Sequence, residues 1–234
     1  MADGVPWPYY ARPAGGAVSA ADVAAMRARQ QELGVPESLE WVHEITPSLL
    51  DAARAGGLEV LEAPLMVLDA AAWRPAEAPT GIELRRIEPD DPALAAARAV
   101  ADVGFRAEGT QPGPEGGRER DAGAAAQSES ALAQVRRRLR QGVTVTIVAE
   151  RDGAPLAVGS HQPVGDVTEI VGVATLPAVR RQGLGGAVTG ALVQDARERG
   201  VETIFLSAGS EEIARVYARL GFRRVGTACI AELA

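Results

Sequence analysis

Apolar positions along the chain recur at two spacings, every second residue in short runs and every third or fourth in longer ones, and the changes between them mark the expected elements. Ser19–Gln31 reads as a helix, because Ser19 can cap it, Asp22 stands three residues on, and Gly34-Val35-Pro36 stops it. A short strand is expected around Trp41–Ile45. Pro47 then opens a helix through Leu49, Leu50, Ala53 and Arg54, which Gly56-Gly57 ends before an extended Leu58–Leu68 segment. Ala70–Thr80, carrying Trp73, Pro75 and Pro79, reads as a linker, so residues 1–80 are expected to form a smaller α/β piece and residues 81–234 the main domain. Residues 1–18 lack a period and should wrap over a surface, anchored by Trp7, Tyr9 and Tyr10.

Beyond the linker, Ile82–Ile87 alternates like a strand and Pro92–Phe105 repeats like a helix. Arg106–Ser128, rich in Gly, Glu, Gln and Ser, is too polar to pack well and is expected to be a mobile loop. A helix over Glu129–Arg140 leads into Val143–Glu150 and Leu156–Gln162, a hairpin turned by Arg151-Asp152-Gly153, and Thr168–Thr175 supplies the next strand. After Arg180-Arg181-Gln182-Gly183 the period changes: Leu184, Ala187, Val188, Ala191, Leu192 and Ala196 share one helical face until Gly200. Val201–Ala208 is a strand, Ser210–Leu220 a helix capped by Ser210, and Gly221-Phe222 leads to terminal strands. Residues 82–234 therefore read as mixed α/β.

Composition narrows the class. Apolar residues make up 47% and aromatic residues 4%, so small and branched aliphatic side chains should build the core. The formal net charge of -7 argues against a general nucleic-acid surface while leaving room for a local basic patch, which draws interest to Arg180-Arg181. One cysteine, Cys229, excludes an intrachain disulfide and is expected in the core. The two histidines, His43 and His161, have no companions at metal-ligand spacing. A reduced, metal-independent cytoplasmic protein is the expectation. The chain opens without a basic region followed by an apolar run, and no stretch approaches the ~20 apolar residues of a membrane span, so neither secretion nor a membrane partner is expected. A homo-oligomer stays open.

A strand that ends in a glycine-bearing turn and feeds a helix presents unpaired amides and a positive dipole end to an anion. Here the turn is Arg180-Arg181-Gln182-Gly183-Leu184-Gly185-Gly186. Its glycines would let a pyrophosphate approach the backbone, and Arg180 and Arg181 would add charge-assisted hydrogen bonds or else stand solvated. It lacks the Lys-Ser/Thr ending of a P-loop and the spacing of a dinucleotide fingerprint.

This turn resembles the Q/R-x-x-G-x-G/A motif of the GNAT acetyltransferases, here Arg180, Gly183 and Gly185, and Tyr217-Ala218-Arg219-Leu220-Gly221-Phe222 is similar to that family's late Y-x-x-x-G-F signature. The resemblance covers roughly residues 82–234. It implies an acyl-CoA N-acyltransferase fold, a mixed, mostly antiparallel sheet flanked by helices, and acetyl-CoA as donor for an amine-bearing acceptor. It also implies pantetheine along Val173, Ala174 and Thr175, and pyrophosphate over Arg181, Gln182, Gly183, Leu184, Gly185 and Gly186. The family often carries Asn where Ser210 stands, so the contact of Ser210 to the cofactor arm rests on a shorter side chain. Tyr217 resembles the tyrosine that protonates the leaving thiolate, with helical core packing as the other reading. Glu169, eleven residues before Arg180, resembles the glutamate base of histone-type members, with a strand-end charge facing water as the other reading. The backbone amide of Val173 would hold the oxyanion. His161 would either face the acceptor pocket or pack.

Compared with itself, the chain shows a faint repeat offset by 164 positions, which lays Gly57-Leu58 on Gly221-Phe222 and Ala53 on Tyr217. Residues 1–80 thus resemble a degenerate second half of a GNAT domain, without a phosphate loop and not expected to bind cofactor. Glu40, Trp41, His43 and Glu44 form its most polar-aromatic cluster, with structure favoured over substrate contact. Two functions fit the whole: a working N-acetyltransferase, whose acidic residues, Glu108 among them, would attract a cationic amine, or a non-catalytic acyl-CoA-binding module.

Overall fold

The computed structural model describes residues 10–107 and 109–233. Trp7, Tyr9 and Glu108 lie outside the described residues. The chain divides into two compact units: Met1–Met66 with Ser207–Glu211 and Arg224–Ala234, and Val67–Leu206 with Glu212–Arg223.

In the first unit, α1 (Ala20–Leu33) begins where the capping pair requires. The Asp22 amide donates to Ser19 Oγ, the Asp22 carboxylate accepts from the Ser19 amide, and Gly34 closes the helix in the left-handed region at φ 63. Then come β1 (Leu39–Val42), α2 (Ser48–Ala55) and β2 (Glu59–Leu68). The last strand of the chain, β8 (Phe222–Glu232), stands between β1 and β2 and pairs with β1 antiparallel, Trp41 opposite Cys229. The expected terminal strands are thus one long strand. Leu49, Ala53, Trp41 and the free Cys229 form this unit's core. Burial, with Glu62 and Glu44 nearby, pushes the Cys229 thiol up to about 11. The polar cluster has structural partners: Glu40 pairs with Arg12, the His43 amide donates to Thr227 O, and the Glu44 carboxylate accepts from the Thr227 amide. Tyr10 donates its hydroxyl to Glu232 at 3.0 Å, an anchor of the expected kind.

The repeat is carried by the elements themselves. Adding 164 to Leu39, the start of β1, gives 203, the start of β7 (Thr203–Ser207); α2 then falls on α7 (Glu211–Ala218) and β2 on β8, each within one residue. Both helices end on a left-handed glycine, Gly57 at φ 79 and Gly221 at φ 100, followed by buried Leu58 or Phe222.

The second unit is built on five strands in the order β7, β6 (Val167–Thr175), β5 (Ala154–Val164), β4 (Val145–Arg151) and β3 (Glu83–Arg86). All neighbours are antiparallel except the parallel pair β6 and β7, giving a mixed, mostly antiparallel sheet. The β4–β5 hairpin turns on Asp152 and Gly153, both at positive φ, the combination the Asp-Gly pair permits. Helix α3 (Leu94–Arg106) buries Leu94, Ala97, Val100 and Val103 against the Val148, Val158 and Ala174 face of the sheet, with α5 (Glu129–Arg140) adding Leu132 and Leu139. Helix α6 (Leu184–Glu198) covers the other face, burying Leu184, Ala187, Val188, Leu192, Val193 and Ala196.

Two expectations need correction. Arg106–Ser128 is not a loop throughout, since α4 (Gly117–Ala125) forms within it. The Glu119 carboxylate caps the Gly116 amide, Arg120 donates to Pro155 O at 3.0 Å, and Gly123 lets the helix approach Ala99. The Ala70–Thr80 segment has no helix or strand, as read, yet it packs: the Asp69 and Arg74 amides donate to Gly221 O and Leu220 O, and Ala76 lies against Gly186.

Candidate acyl-transfer site

The site arises from a fault in the sheet. The parallel ladder of β6 with β7 runs only from Val167 to Glu169, opposite Thr203 to Phe205. Beyond Glu169 the backbone of β6 on that side has no strand partner among the described residues, while on its other side it stays paired with β5 as far as Thr175. The pairing with β5 skips between Val158↔Ala174 and Ser160↔Val171, so Gly159 alone faces both Gly172 and Val173. Gly172 takes φ 65, the left-handed conformation of a glycine bulge, which bends the strand and re-aims the side chains beyond it.

The bulge also exchanges faces. Thr168 and Ile170 lie on the α6 side, where His161 is wholly buried with Nδ1 3.0 Å from Thr168 Oγ1 and Nε2 2.9 Å from Asp195 of α6. His161 is therefore a packed residue. Burial holds its pKa below the ordinary imidazole value despite the Asp195 carboxylate. Glu169, between Thr168 and Ile170, projects from the opposite face and is half-buried. After the bulge, Val173 and Thr175 turn toward the first turn of α6: a Cβ on Gly185 would stand 3.6 Å from Thr175 Oγ1 and 3.9 Å from Val173 Cγ1. Ala174 turns to α3, where Gly104 lets the helix come down on the strand, a Cβ there meeting Ala174 at 3.0 Å and Thr175 O at 3.2 Å.

Past Thr175 a short turn, Pro177–Val179, brings the chain to Arg180 and the glycines. Arg181 is held at φ 65 and Gly183 at φ 86, and Gly183 is the N-cap of α6 without any side-chain cap. The first amides of the 15-residue helix α6 therefore open at its positive end. These parts line one cleft of about 470 Å³, together with the end of α3 and one side of α7.

Of the residues expected to hold a cofactor, Val173, Ala174, Thr175, Arg180, Arg181, Gly183, Leu184, Gly185 and Gly186 line this cleft, and Tyr217 joins them. Gln182 and Ser210 are exposed and do not line it, nor does Glu169. The Arg180 guanidinium donates to the carbonyls of Gly104 at 2.7 Å, Ala107 at 2.8 Å and Gln111 at 3.3 Å. Tyr217 is 9% exposed, its ring edge-to-face with Phe222 at 6.0 Å, and burial pushes its hydroxyl up to about 12, so it is fully protonated near neutrality.

Sequence reasoning missed the second wall, formed by Gly104 and Phe105 from the end of α3, by Ala107, Gly109 and Thr110 just beyond it, and by Ile213, Val216 and Arg219. Thr110 donates its hydroxyl to Glu212 of α7. The charged residues lining the cleft, among those described, are arginines only: Arg180, Arg181 and Arg219. In a chain of net charge -7 this is a local cationic site that fits a phosphorylated ligand. Among the described residues no group of three or more His, Cys, Asp or Glu is placed to hold a metal ion, and no helix is long and apolar enough to cross a membrane.

Comparison with known proteins agrees with this geometry. Among solved structures, a GCN5-related N-acetyltransferase from Kribbella flavida is 24% identical, with a TM-score of 0.65 over 93% of this chain and 77% of that one. A tandem GNAT protein from the clavulanic acid biosynthesis pathway is 17% identical, with a TM-score of 0.60 over 90% and 68%. A conserved protein of unknown function from Staphylococcus epidermidis is 15% identical, with a TM-score of 0.59 over 90% and 77%. At these identities the likeness speaks for the fold. No curated protein matches the chain. Residues 118–222 match the model of the acetyltransferase (GNAT) family.

Proposed function

We propose that this protein is an acetyl-CoA-dependent N-acetyltransferase that moves an acetyl group to a primary amine by direct attack in a ternary complex. The observation that carries the reading is the parting of β6 from β7 after Glu169, beyond which Val173–Thr175, without a β7 partner among the described residues, line one cleft with the open N-terminus of α6. Backbone groups of Val173–Thr175 would take the amides of the pantetheine arm as a strand takes its neighbour, and the amides of Gly183–Gly186 with Arg181 would take the pyrophosphate. The residues present fit that co-substrate, which supplies the thioester carbonyl.

An alkyl ammonium with pKa near ~10.4 must lose a proton before its nitrogen can attack. Glu169 is the proposed acceptor of that proton, directly or through water, because it stands at the fork where β6 and β7 part. As the amine nitrogen bonds to the carbonyl carbon, the Val173 amide would hold the developing oxyanion. When the carbon–sulfur bond breaks, the electron pair leaves with sulfur, and the Tyr217 hydroxyl would donate a hydrogen bond or its proton there. A cytoplasmic setting, where acetyl-CoA is available, completes the proposal.

Thiol release from acetyl-CoA tests the reading, with a polyamine, an aminoglycoside and a lysine-bearing peptide as acceptors. Amine-dependent release supports it. Acetyl-CoA binding without release on any of the three would favour the non-catalytic acyl-CoA-binding module instead.

A further inference from the structure

Arg180 occupies the first position of the glycine motif, where charge alone would make it a phosphate ligand. Its described bonds run to backbone carbonyls. Helix α3 ends at Arg106 with Ala107 as C-cap in an extended conformation, φ -92 and ψ 110, rather than in the left-handed conformation of a glycine cap. The Arg180 guanidinium supplies a cap from 76 residues away: one nitrogen donates to Gly104 O at 2.7 Å and to Ala107 O at 2.8 Å, and the other reaches Gln111 O at 3.3 Å. A cation over the carbonyl end of a helix is favourable in its own right. A planar fork reaching three acceptors is a geometry that arginine provides and lysine does not.

The placement has a consequence for the cleft. Gly104 lies against Thr175 and Ala174, so the end of α3 rests on the strand assigned to pantetheine. The next residue, Phe105, lines the cleft and is 63% exposed, an aromatic ring held at the wall with little burial of its own. That wall is fixed by the Arg180 fork on one side of Phe105 and the close approach of Gly104 on the other.

We propose that Arg180 is a positioning residue: it caps α3 and fixes the Phe105 wall to the turn that precedes the glycine loop, and it is not a ligand of the phosphates. The assignment of CoA to the cleft rests on the proposed function, whereas the capping role does not.

The test compares the parent with Arg180→Lys and Arg180→Gln by two measurements, hydrogen–deuterium exchange over Val100–Arg106 without ligand and calorimetric titration with CoA. Arg180→Lys retains the charge while losing the fork, and it guards against a Gln variant that fails to fold. The expected result is exchange at the end of α3 about tenfold faster in Arg180→Lys, the scale of a lost helix cap, with CoA affinity within about threefold of the parent. With an active amine, kcat should fall while KM for acetyl-CoA holds. Unchanged exchange together with CoA affinity weakened about tenfold or more, the scale of a lost charge-assisted contact, would overturn the proposal and return Arg180 to the phosphates. If the parent fails to bind CoA, the proposed function falls, while the exchange comparison still decides the capping role.

Discussion

Replacing Tyr217 by Phe removes one oxygen and leaves the ring, its burial and its edge-to-face contact with Phe222 in place. The stability cost should stay below about 1 kcal/mol, since the packed hydrocarbon is unchanged. The catalytic cost is set by the acidity of the hydroxyl. Burial pushes Tyr217 up to about 12, against roughly 8.5 for an ordinary thiol, so full proton transfer to a free thiolate is uphill by about 3.5 pKa units, or about 5 kcal/mol. Desolvation of the thiolate in the same cleft narrows that gap. Tyr217 should therefore act mainly as a hydrogen-bond donor to sulfur as the carbon–sulfur bond breaks. Its loss belongs at the lower end of the general-acid range, about 100-fold in kcat. Because it stays protonated, its ionisation should cause no loss of activity below about pH 10. The assay is single-turnover thiol release at saturating acetyl-CoA, with a melting curve beside it. A Tyr217→Phe rate within about threefold of the parent at an unchanged melting temperature would refute the donor role and leave Tyr217 as packing.

Three further outcomes are expected. Glu169→Gln should lower kcat/KM by about 100-fold near pH 7 and remove the acid limb of the pH–rate profile, whereas a strand-end charge would leave both unchanged. Gly221→Ala should cost about 3 kcal/mol, roughly 6–12 °C in melting temperature, because the position sits at φ 100 and a Cβ would stand 2.5 Å from Ala72 O; a shift under about 2 °C would mean that the Ala72–Trp73 backbone yields freely. For His161, burial lowers the folded pKa below its unfolded value near ~6.5. Its contribution to stability is then complete above that value and lost as pH falls below it, because the unfolded chain takes the proton first. His161→Asn should flatten the decline of the urea midpoint between pH ~6.5 and ~5, and an unchanged slope would assign the decline to other groups.

The elements were readable where period and punctuation agreed. Ser19 with Asp22 fixed the start of α1, Asp152-Gly153 fixed the hairpin, and the change of period at Gly183 fixed the strand-to-helix turn. Helix α4 was missed because Gly117–Ala125 has no apolar stripe. It holds by the Glu119 cap and by contacts of Arg120 and Gly123 with residues distant in sequence. The first wall of the cleft was legible because it is one continuous segment, Val173–Gly186, whose glycines answer to backbone geometry. The second wall was not, since Gly104, Phe105 and Thr110 carry no motif and meet the first wall only through folding. Arg180 illustrates the limit most clearly: its charge could be read, but its acceptors at the end of α3 are carbonyls, which every residue possesses.

In the proposed function, the β6 edge beyond its fork with β7 and the N-terminus of α6 form one acyl-CoA site. A crystal structure with CoA bound tests it most directly. The expected result is the pantetheine arm paired along Val173–Thr175, the pyrophosphate on the amides of Gly183–Gly186, and the sulfur beside Tyr217. CoA bound away from this cleft, or no CoA bound at millimolar concentration, would contradict it.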